Sequence, residues 1–210
     1  MEIKRIKFNI SLLGEKDVGK TSLISVFNGG TFSTKTISTI GIDNFAFNEK
    51  IDGKYYMFKV FDTAGQERYR SVSNSTIRVA DGFLLVFSVE NRNSFEILND
   101  WLDTISQQCD INSKVIFLVG NKIDVEKREV SNEEAVTFAK SRNLLYYETS
   151  AKSGFGIKDT FQKLFYSVYE KCKELDKNES DENNNNDNNR QTVKLDKNHL
   201  KKSDKRNCSC

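Results

Sequence analysis

Gly14-Glu15-Lys16-Asp17-Val18-Gly19-Lys20-Thr21 is the stretch that decides the fold. It fits the pattern G-x-x-x-x-G-K-[ST], a loop whose backbone N–H groups surround the phosphates of a nucleotide. In such a loop Lys20 reaches the outer phosphates and the hydroxyl of Thr21 ligates magnesium. The stretch therefore predicts a nucleoside triphosphate site but does not identify the base. The loop residues expected to contact the nucleotide are Glu15, Lys16, Asp17, Val18, Gly19, Lys20 and Thr21.

The segments on both sides of this loop have the character that such a site requires. Ile6, Phe8, Ile10 and Leu12 alternate with polar residues, which is typical of a half-buried strand. Residues 21–28 have the pattern of a helix. The unpaired N–H groups and partial positive charge at the start of a helix favour an anion. A strand, a glycine loop and a helix start therefore follow in the required order.

Length and composition exclude several classes of protein. The chain has 210 residues, enough for one domain with a sizeable core. Its net charge of +2 is close to balance, so we expect no nucleic acid partner. No apolar run has the length of a membrane span, and the first residues resemble no cleaved signal, so we expect a cytosolic protein. The four cysteines show no zinc-type spacing, and we expect Cys109 and Cys172 to be thiols.

The rest of the chain alternates strand-like and helix-like segments. Asp52-Gly53 joins two strand-like segments as a hairpin, so this pair is expected to be antiparallel. The other alternations predict an α/β fold of the P-loop NTPase type: a mostly parallel six-stranded sheet, one antiparallel edge strand and helices on both faces. Ligands of such sheets bind at the carboxyl ends of the strands. The further predicted strands cover residues 45–51, 55–62, 83–87, 114–121 and 144–148, and the further predicted helices cover 94–108, 131–142 and 157–173.

Composition divides the chain into two parts. From about Leu175 it consists mainly of Lys, Asp, Glu and Asn, with too little apolar area to offset the entropy of an ordered chain. We therefore predict a folded domain over residues 1–174 and a disordered tail over residues 175–210. Within the folded part, residues 29–43 show no periodicity and predict a long loop, and long loops in compact domains are usually functional.

A second motif, Asp62-Thr63-Ala64-Gly65-Gln66, follows the second strand of the hairpin. An aspartate at that strand end can hold magnesium, mostly through water, and Gly65 lets its backbone N–H approach the terminal phosphate. Gln66 is neutral and has both a donor and an acceptor, so it can orient an attacking water. The motif therefore predicts a hydrolytic site with Gln66 as its catalytic residue.

Two further motifs indicate which base is bound. Asn121-Lys122-Ile123-Asp124 stands at the end of a predicted strand, where the carboxylate of Asp124 can accept the ring N–H and the exocyclic amine of guanine. Adenine has no such donor pair and would leave a buried carboxylate unpaired, which is costly. Ser150-Ala151-Lys152 follows the last strand and can supply a backbone N–H and an alkyl stem to the base. The residues predicted to bind guanine are therefore Asn121, Lys122, Asp124, Ser150, Ala151 and Lys152.

Together these motifs resemble the Ras superfamily of small GTPases over residues 3–173. The stretches TIGID, DTAGQERYRSV and NSFEILNDWL and the terminal Cys-Ser-Cys resemble its Rab branch. The resemblance implies that GTP or GDP and Mg²⁺ are the cofactors, that Thr39 joins Thr21 and Asp62 as a magnesium ligand, and that Phe32 stacks on guanine. It also implies that the loops of Thr39 and Gln66 are switches, ordered by the triphosphate and relaxed after hydrolysis.

The same resemblance implies a membrane-anchored switch of vesicle traffic with a monomeric core. Geranylgeranyl groups on Cys208 and Cys210 would anchor it to the cytoplasmic face of a membrane, because two lipid chains give a stable anchor. The implied partners are an exchange factor, an escort protein, effectors that bind the switch loops, and a dissociation inhibitor that keeps a cytosolic pool. No arginine is placed to act as a finger in cis, so intrinsic hydrolysis is expected to be slow and to need an activating protein.

Four positions depart from the Rab pattern. Asn44, Phe61 and Thr76 stand where an effector surface usually carries aromatic residues, so we expect a different set of partners. Lys16 stands where a small residue is usual, and we hypothesise that it slows stimulated hydrolysis. The alternatives are a Ras or Rho type of signalling GTPase, a nucleotide kinase, which would need an acceptor site that the sequence does not show, and a module that binds GTP with little hydrolysis.

Overall fold

Six strands form one mixed sheet in the part of the chain that the structure, a computed structural model, describes: residues 6–33, 39, 42–63 and 70–192. The strand order is β2-β3-β1-β4-β5-β6, and every neighbouring pair is parallel except β2 with β3. This arrangement confirms the predicted fold class. The strands are β1 (Lys7–Leu13), β2 (Ile42–Ile51), β3 (Lys54–Thr63), β4 (Gly82–Ser88), β5 (Val115–Asn121) and β6 (Leu145–Glu148). The helices are α1 (Lys20–Phe27), α2 (Arg70–Val79), α3 (Arg92–Glu96), α4 (Leu98–Gln108), α5 (Asn132–Ser141) and α6 (Ile157–Thr192).

The antiparallel edge comes from the predicted hairpin between β2 and β3. Its two turn residues, Asp52 and Gly53, have φ angles of 50° and 81°. Positive φ at both central positions defines the type I′ turn, whose twist matches that of the paired strands. The turn thus sets the pairing in which Asp43 lies opposite Asp62.

Each face of the sheet packs against its own set of helices. On one face, apolar residues of β1 and β3 pack against α1 and α6, and Phe58 stacks on Phe165 with 4.3 Å between ring centroids. On the other face, residues of β4 and β5 pack against α4 and α5. Trp101 is 5% exposed within this second core. The central strand β4 is buried along its whole length, because it is covered on both faces.

The helices differ from the prediction in three places, two of which lie between β3 and β5. The predicted helix over residues 94–108 is divided at Ile97, whose ψ angle of 3° interrupts the helical backbone between α3 and α4. α2 was not predicted, because its sequence is mostly polar. Its residue Thr76 is 2% exposed, and its hydroxyl lies 3.0 Å from that of Ser11 on β1. Thr76 is therefore not part of a partner surface, in contrast to our expectation, whereas Asn44 is exposed.

The last helix is longer than predicted. α6 packs on the sheet through a periodic set of apolar residues that ends with the buried Cys172, but the helix continues to Thr192. The prediction that it ends near Lys173 is therefore wrong, since helical hydrogen bonds are local and do not require an apolar face. The domain boundary at residues 174 and 175 stays a prediction. Among the helices of the described ranges, none combines the length and the apolar character needed to cross a bilayer.

Candidate nucleotide-binding site

The glycine loop connects β1 to α1 in a conformation that requires its glycines. Gly14 has a φ angle of 140°, and a Cβ atom there would lie 2.0 Å from the carbonyl oxygen of Val86 on β4. Gly19 has a φ angle of 98°, and a Cβ atom there would lie 2.4 Å from Nδ2 of Asn121. The loop is thus packed against the ends of β4 and β5, which is why larger residues do not fit at these two positions.

Lys20 is held inside this loop. Its ammonium donates hydrogen bonds to the carbonyl oxygens of Gly14 and Glu15, at 2.9 and 2.8 Å. The residue is 5% exposed, and this burial lowers the pKa of Lys20 to about 8, although Asp62 opposes the shift. A buried ammonium is stabilised when an anion approaches it. The loop is therefore electrostatically prepared for phosphate.

Three oxygen-bearing side chains meet at the start of α1. The hydroxyl of Thr21 donates to Oδ2 of Asp62 at 2.6 Å and lies 2.8 Å from the hydroxyl of Thr39. Asp62 is fully buried, and its Oδ1 has no hydrogen-bond partner among the described residues. Burial raises the pKa of Asp62, while the bond from Thr21 opposes this effect. These are the three residues predicted to ligate magnesium, and the fold brings them together.

Asn121 connects the base-side motifs to the glycine loop. Its Nδ2 donates to the carbonyl oxygen of Val18 at 2.8 Å. Its Oδ1 accepts from the hydroxyl of Thr149 at 3.2 Å and from the backbone N–H of Ala151 at 3.3 Å. Asn121 is fully buried, so these bonds fix three loops relative to one another. Sequence reasoning missed Thr149, since a hydroxyl 28 residues from its partner gives no local signal.

Asp124 and the last motif form a second polar group beside Asn121. Oδ1 of Asp124 accepts from the hydroxyl of Ser150 at 2.6 Å, and its Oδ2 lies 3.7 Å from the ammonium of Lys152. The hydroxyl of Ser150 in turn accepts from the backbone N–H of Ser153 at 3.0 Å, which orients it. The Asp124 side chain keeps an exposed fraction of 23%. Its carboxylate is thus oriented by neighbours yet accessible to a ligand.

The remaining predicted site residues are of two kinds: those that the structure describes and those that lie outside the described ranges. Phe32 is 38% exposed, and the ammonium of Lys16 lies 3.7 Å from Oδ2 of Asp17 on the outer side of the glycine loop. Lys122 directly follows Asn121 in the chain. Its ammonium lies 2.7 Å from Oε1 of Glu90, a partner that the sequence did not predict. Four predicted residues lie outside the described part of the chain: Gly65, Gln66, Cys208 and Cys210.

The glycine loop between β1 and α1, the strand-end aspartate and the base-side loops together define a P-loop nucleotide-binding protein with a guanine-type site. The Ras family model matches residues 9–170. Over 159 residues, the chain is 39% identical to Ras-related protein Rab-18-B of Danio rerio and 38% identical to Ras-related protein Rab-18 of Caenorhabditis elegans. Each match covers 76% of this chain and 78% of the relative. A Rab-18 protein of Caenorhabditis briggsae is 37% identical over 76% of this chain and 79% of its own length.

The chain therefore belongs to the Ras superfamily and, within it, to the Rab branch of small GTPases. This confirms the resemblance drawn from the motifs. As a Rab-like GTPase of vesicle traffic it binds guanine nucleotides and is a hydrolase. The family also implies regulators and effectors in general, and an association with membranes.

Proposed function

We propose that this chain is a magnesium-dependent GTP/GDP switch in which Thr39 reports the state of the nucleotide. The observation that carries the proposal is the contact of Thr39 with Thr21, at 2.8 Å between hydroxyl oxygens. This contact joins the long loop after α1 to the phosphate loop. A loop fixed by its contact with the metal and phosphate site is released when that site changes.

The residues at this point fit a magnesium ion. Mg²⁺ prefers oxygen ligands and commonly takes one or two protein oxygens together with phosphates and water. Two hydroxyls and one buried carboxylate supply such a set, and Oδ1 of Asp62 is a buried acceptor without a hydrogen-bond partner among the described residues. Thr21, Thr39 and Asp62 would hold the ion directly or through water. When bound, the ion neutralises charge on the phosphate oxygens.

The chemistry is then divided among the residues of the site. Lys20 binds the outer phosphates, Gly65 donates its backbone N–H to the terminal phosphate, and Gln66 orients the attacking water. Asp124 accepts two N–H groups of guanine, the stretch Ser150-Ala151-Lys152 donates a backbone N–H to the guanine carbonyl oxygen, and Phe32 stacks on the base. An activating protein supplies further groups in trans, so intrinsic hydrolysis is slow. The nucleotide-contacting role extends to Glu15, Lys16, Asp17, Val18, Gly19, Asn121, Lys122, Ser150 and Lys152.

Hydrogen exchange of the full chain tests the switch. We compare the GDP complex with a complex of a non-hydrolysable GTP analogue, both with magnesium. Peptides that contain Thr39 are expected to exchange at least tenfold more slowly in the triphosphate complex, because only the triphosphate completes the contacts of this loop. Peptides from β4 serve as the internal control and should not differ. Equal exchange of the Thr39 peptides in both complexes would contradict the proposed switch.

Lys16 supports a second candidate function, a GTP-binding module with little hydrolysis. Its side chain is 48% exposed and pairs with Asp17 at the mouth of the loop, where it could obstruct an activating protein. We expect Lys16→Ser to raise activator-stimulated hydrolysis by about tenfold, because complete loss of one catalytic group costs about 2.7 to 4 kcal/mol and an obstructed group loses only part of that contribution. Single-turnover rates with and without activator measure this, with Lys127→Ser as an exposed control. Unchanged rates in Lys16→Ser would refute the obstruction.

The anchor proposed for this switch is a pair of geranylgeranyl groups on Cys208 and Cys210. Lys201, Lys202 and Lys205 would add attraction to anionic lipid. Exchange factor, activating protein, effectors, escort protein and dissociation inhibitor are the partners of such a lipid-anchored cycle at the cytoplasmic face of a membrane. Mass spectrometry of the native carboxyl terminus should show two C20 isoprenoids. A terminus without lipid, or with a single lipid, would contradict this anchor.

A further inference from the structure

Lys122 has a charged partner that the nucleotide-site motifs do not contain. Its ammonium lies 2.7 Å from Oε1 of Glu90, in the turn that follows β4. The two side chains are partly shielded, with exposed fractions of 32% for Lys122 and 40% for Glu90. The residues are 32 positions apart in the chain, so the fold creates this pair.

The backbone on both sides of the pair is fixed. The turn that carries Glu90 is closed by the bond from the N–H of Asn91 to the carbonyl oxygen of Ser88, at 3.0 Å. Asn91 then caps α3 by accepting from the N–H of Ser94. The N–H of Val89 donates to the carbonyl oxygen of Asn121, at 3.0 Å. Glu90 is therefore presented to Lys122 by a hydrogen-bonded frame, which reduces the entropy cost of forming the ion pair.

The position of Lys122 gives this pair a functional meaning. Lys122 follows Asn121, which bonds to the phosphate loop, and precedes Asp124, the base acceptor. Its side chain thus starts between the phosphate end and the base end of the site. The φ angle of Lys122 is 66°, which is uncommon for a residue other than glycine. The backbone therefore holds the Lys122 side chain in its position at a cost in conformational free energy.

We propose that Glu90 is a positioning residue for nucleotide retention. Its carboxylate holds the Lys122 ammonium at the outer rim of the site, so that the alkyl stem of Lys122 lies along the nucleoside and slows its departure. This inference rests on the proposed guanine-nucleotide site, and it adds a residue that acts through Lys122 without touching the ligand itself.

The test is the dissociation rate of fluorescently labelled GDP from the full chain with magnesium present. Glu90→Gln keeps the shape of the side chain and removes its charge, and we expect dissociation to become about threefold faster, the size typical of a partly exposed ion pair. The difference should shrink at high salt, because salt screens such pairs. Glu126→Gln, an exposed carboxylate in the loop after Asp124, is the matched control and should leave the rate unchanged.

A double-mutant cycle separates positioning from a general structural effect. Lys122→Met keeps the length of the alkyl stem but removes the ammonium, so adding Glu90→Gln to it should change the rate no further. Unchanged dissociation in Glu90→Gln, or the same threefold factor in the Lys122→Met background, would overturn the proposal. If the unaltered chain bound no GDP, the proposed guanine site itself would fail, and the two failures are therefore distinguishable.

Discussion

Asp124→Asn is expected to weaken GDP binding about 100-fold. The carboxylate of Asp124 is oriented by Ser150 and remains accessible, so both of its oxygens can accept N–H groups of guanine. An amide offers one acceptor and turns a donor toward the exocyclic amine. Losing two hydrogen bonds to a charged group costs about 3 kcal/mol or more, which corresponds to about two orders of magnitude in affinity.

The same variant should gain affinity for xanthosine diphosphate. Xanthine has a carbonyl oxygen where guanine has its amine, and this oxygen can accept from the new amide. Titration calorimetry measures the affinity of the variant for each of the two nucleotides. Glu126→Gln, which removes one negative charge from the loop after Asp124, is the control. Unaltered GDP affinity in Asp124→Asn would remove Asp124 from the base site.

Asp62→Asn is expected to abolish the effect of magnesium on nucleotide release. In the unaltered protein, chelation of magnesium should accelerate GDP dissociation on the order of 100-fold, because the ion contributes several kcal/mol of charge stabilisation. The variant should release GDP quickly with and without chelator. This expectation has two reasons: in the described part of the chain Oδ1 of Asp62 is buried without a hydrogen-bond partner, and the hydroxyl of Thr21 donates to Oδ2 of the same carboxylate.

Asp43→Asn is the matched control for this experiment. Asp43 lies opposite Asp62 in the pairing of β2 with β3 but is exposed. The substitution Asp43→Asn therefore removes one negative charge from the same region. This variant should keep its response to chelation. If Asp62→Asn still responded to chelation, Asp62 would not belong to the metal site.

The same variant also tests the charge of Asp62 in the absence of metal. Burial raises the pKa of Asp62, so its ionised carboxylate lowers the stability of the metal-free fold at neutral pH. We therefore expect the melting temperature of metal-free Asp62→Asn to be no lower than that of the unaltered protein.

Much of the fold was predictable because its signals are local. The Asp52-Gly53 turn requires positive φ angles, and the glycine loop has positive φ angles of 140° at Gly14 and 98° at Gly19. The continuous apolar run over residues 83–87 is typical of a strand covered on both faces, as β4 is. Ser131 followed by Glu134 is a local signal for a helix start, and Ser131 caps α5 by accepting from the N–H of Glu134 at 3.2 Å. In each case a short stretch of sequence determines a short stretch of structure.

What the sequence did not predict depends on contacts between distant segments. The side chain of Glu134 binds Arg92 on α3, with oxygen–nitrogen distances of 2.6 and 2.5 Å, a partner 42 residues away. α2 contacts β1 through the hydroxyl of Thr76, and this contact between distant segments has no local signal. The mostly polar sequence of α2 therefore did not predict a helix. The pairing of Glu90 with Lys122 arises in the same way, since the parallel pairing of β4 with β5 brings the two strand ends together.

We expect this chain to be a guanine-specific switch that hydrolyses GTP slowly. Single-turnover phosphate release tests it most directly, using the full chain with magnesium and either GTP or ATP, and Gln66→Leu as the catalytic variant. We expect slow release from GTP, no release from ATP, and release from GTP at least tenfold slower in Gln66→Leu. Equal release from ATP and GTP, or no release from tightly bound GTP over many hours, would contradict it.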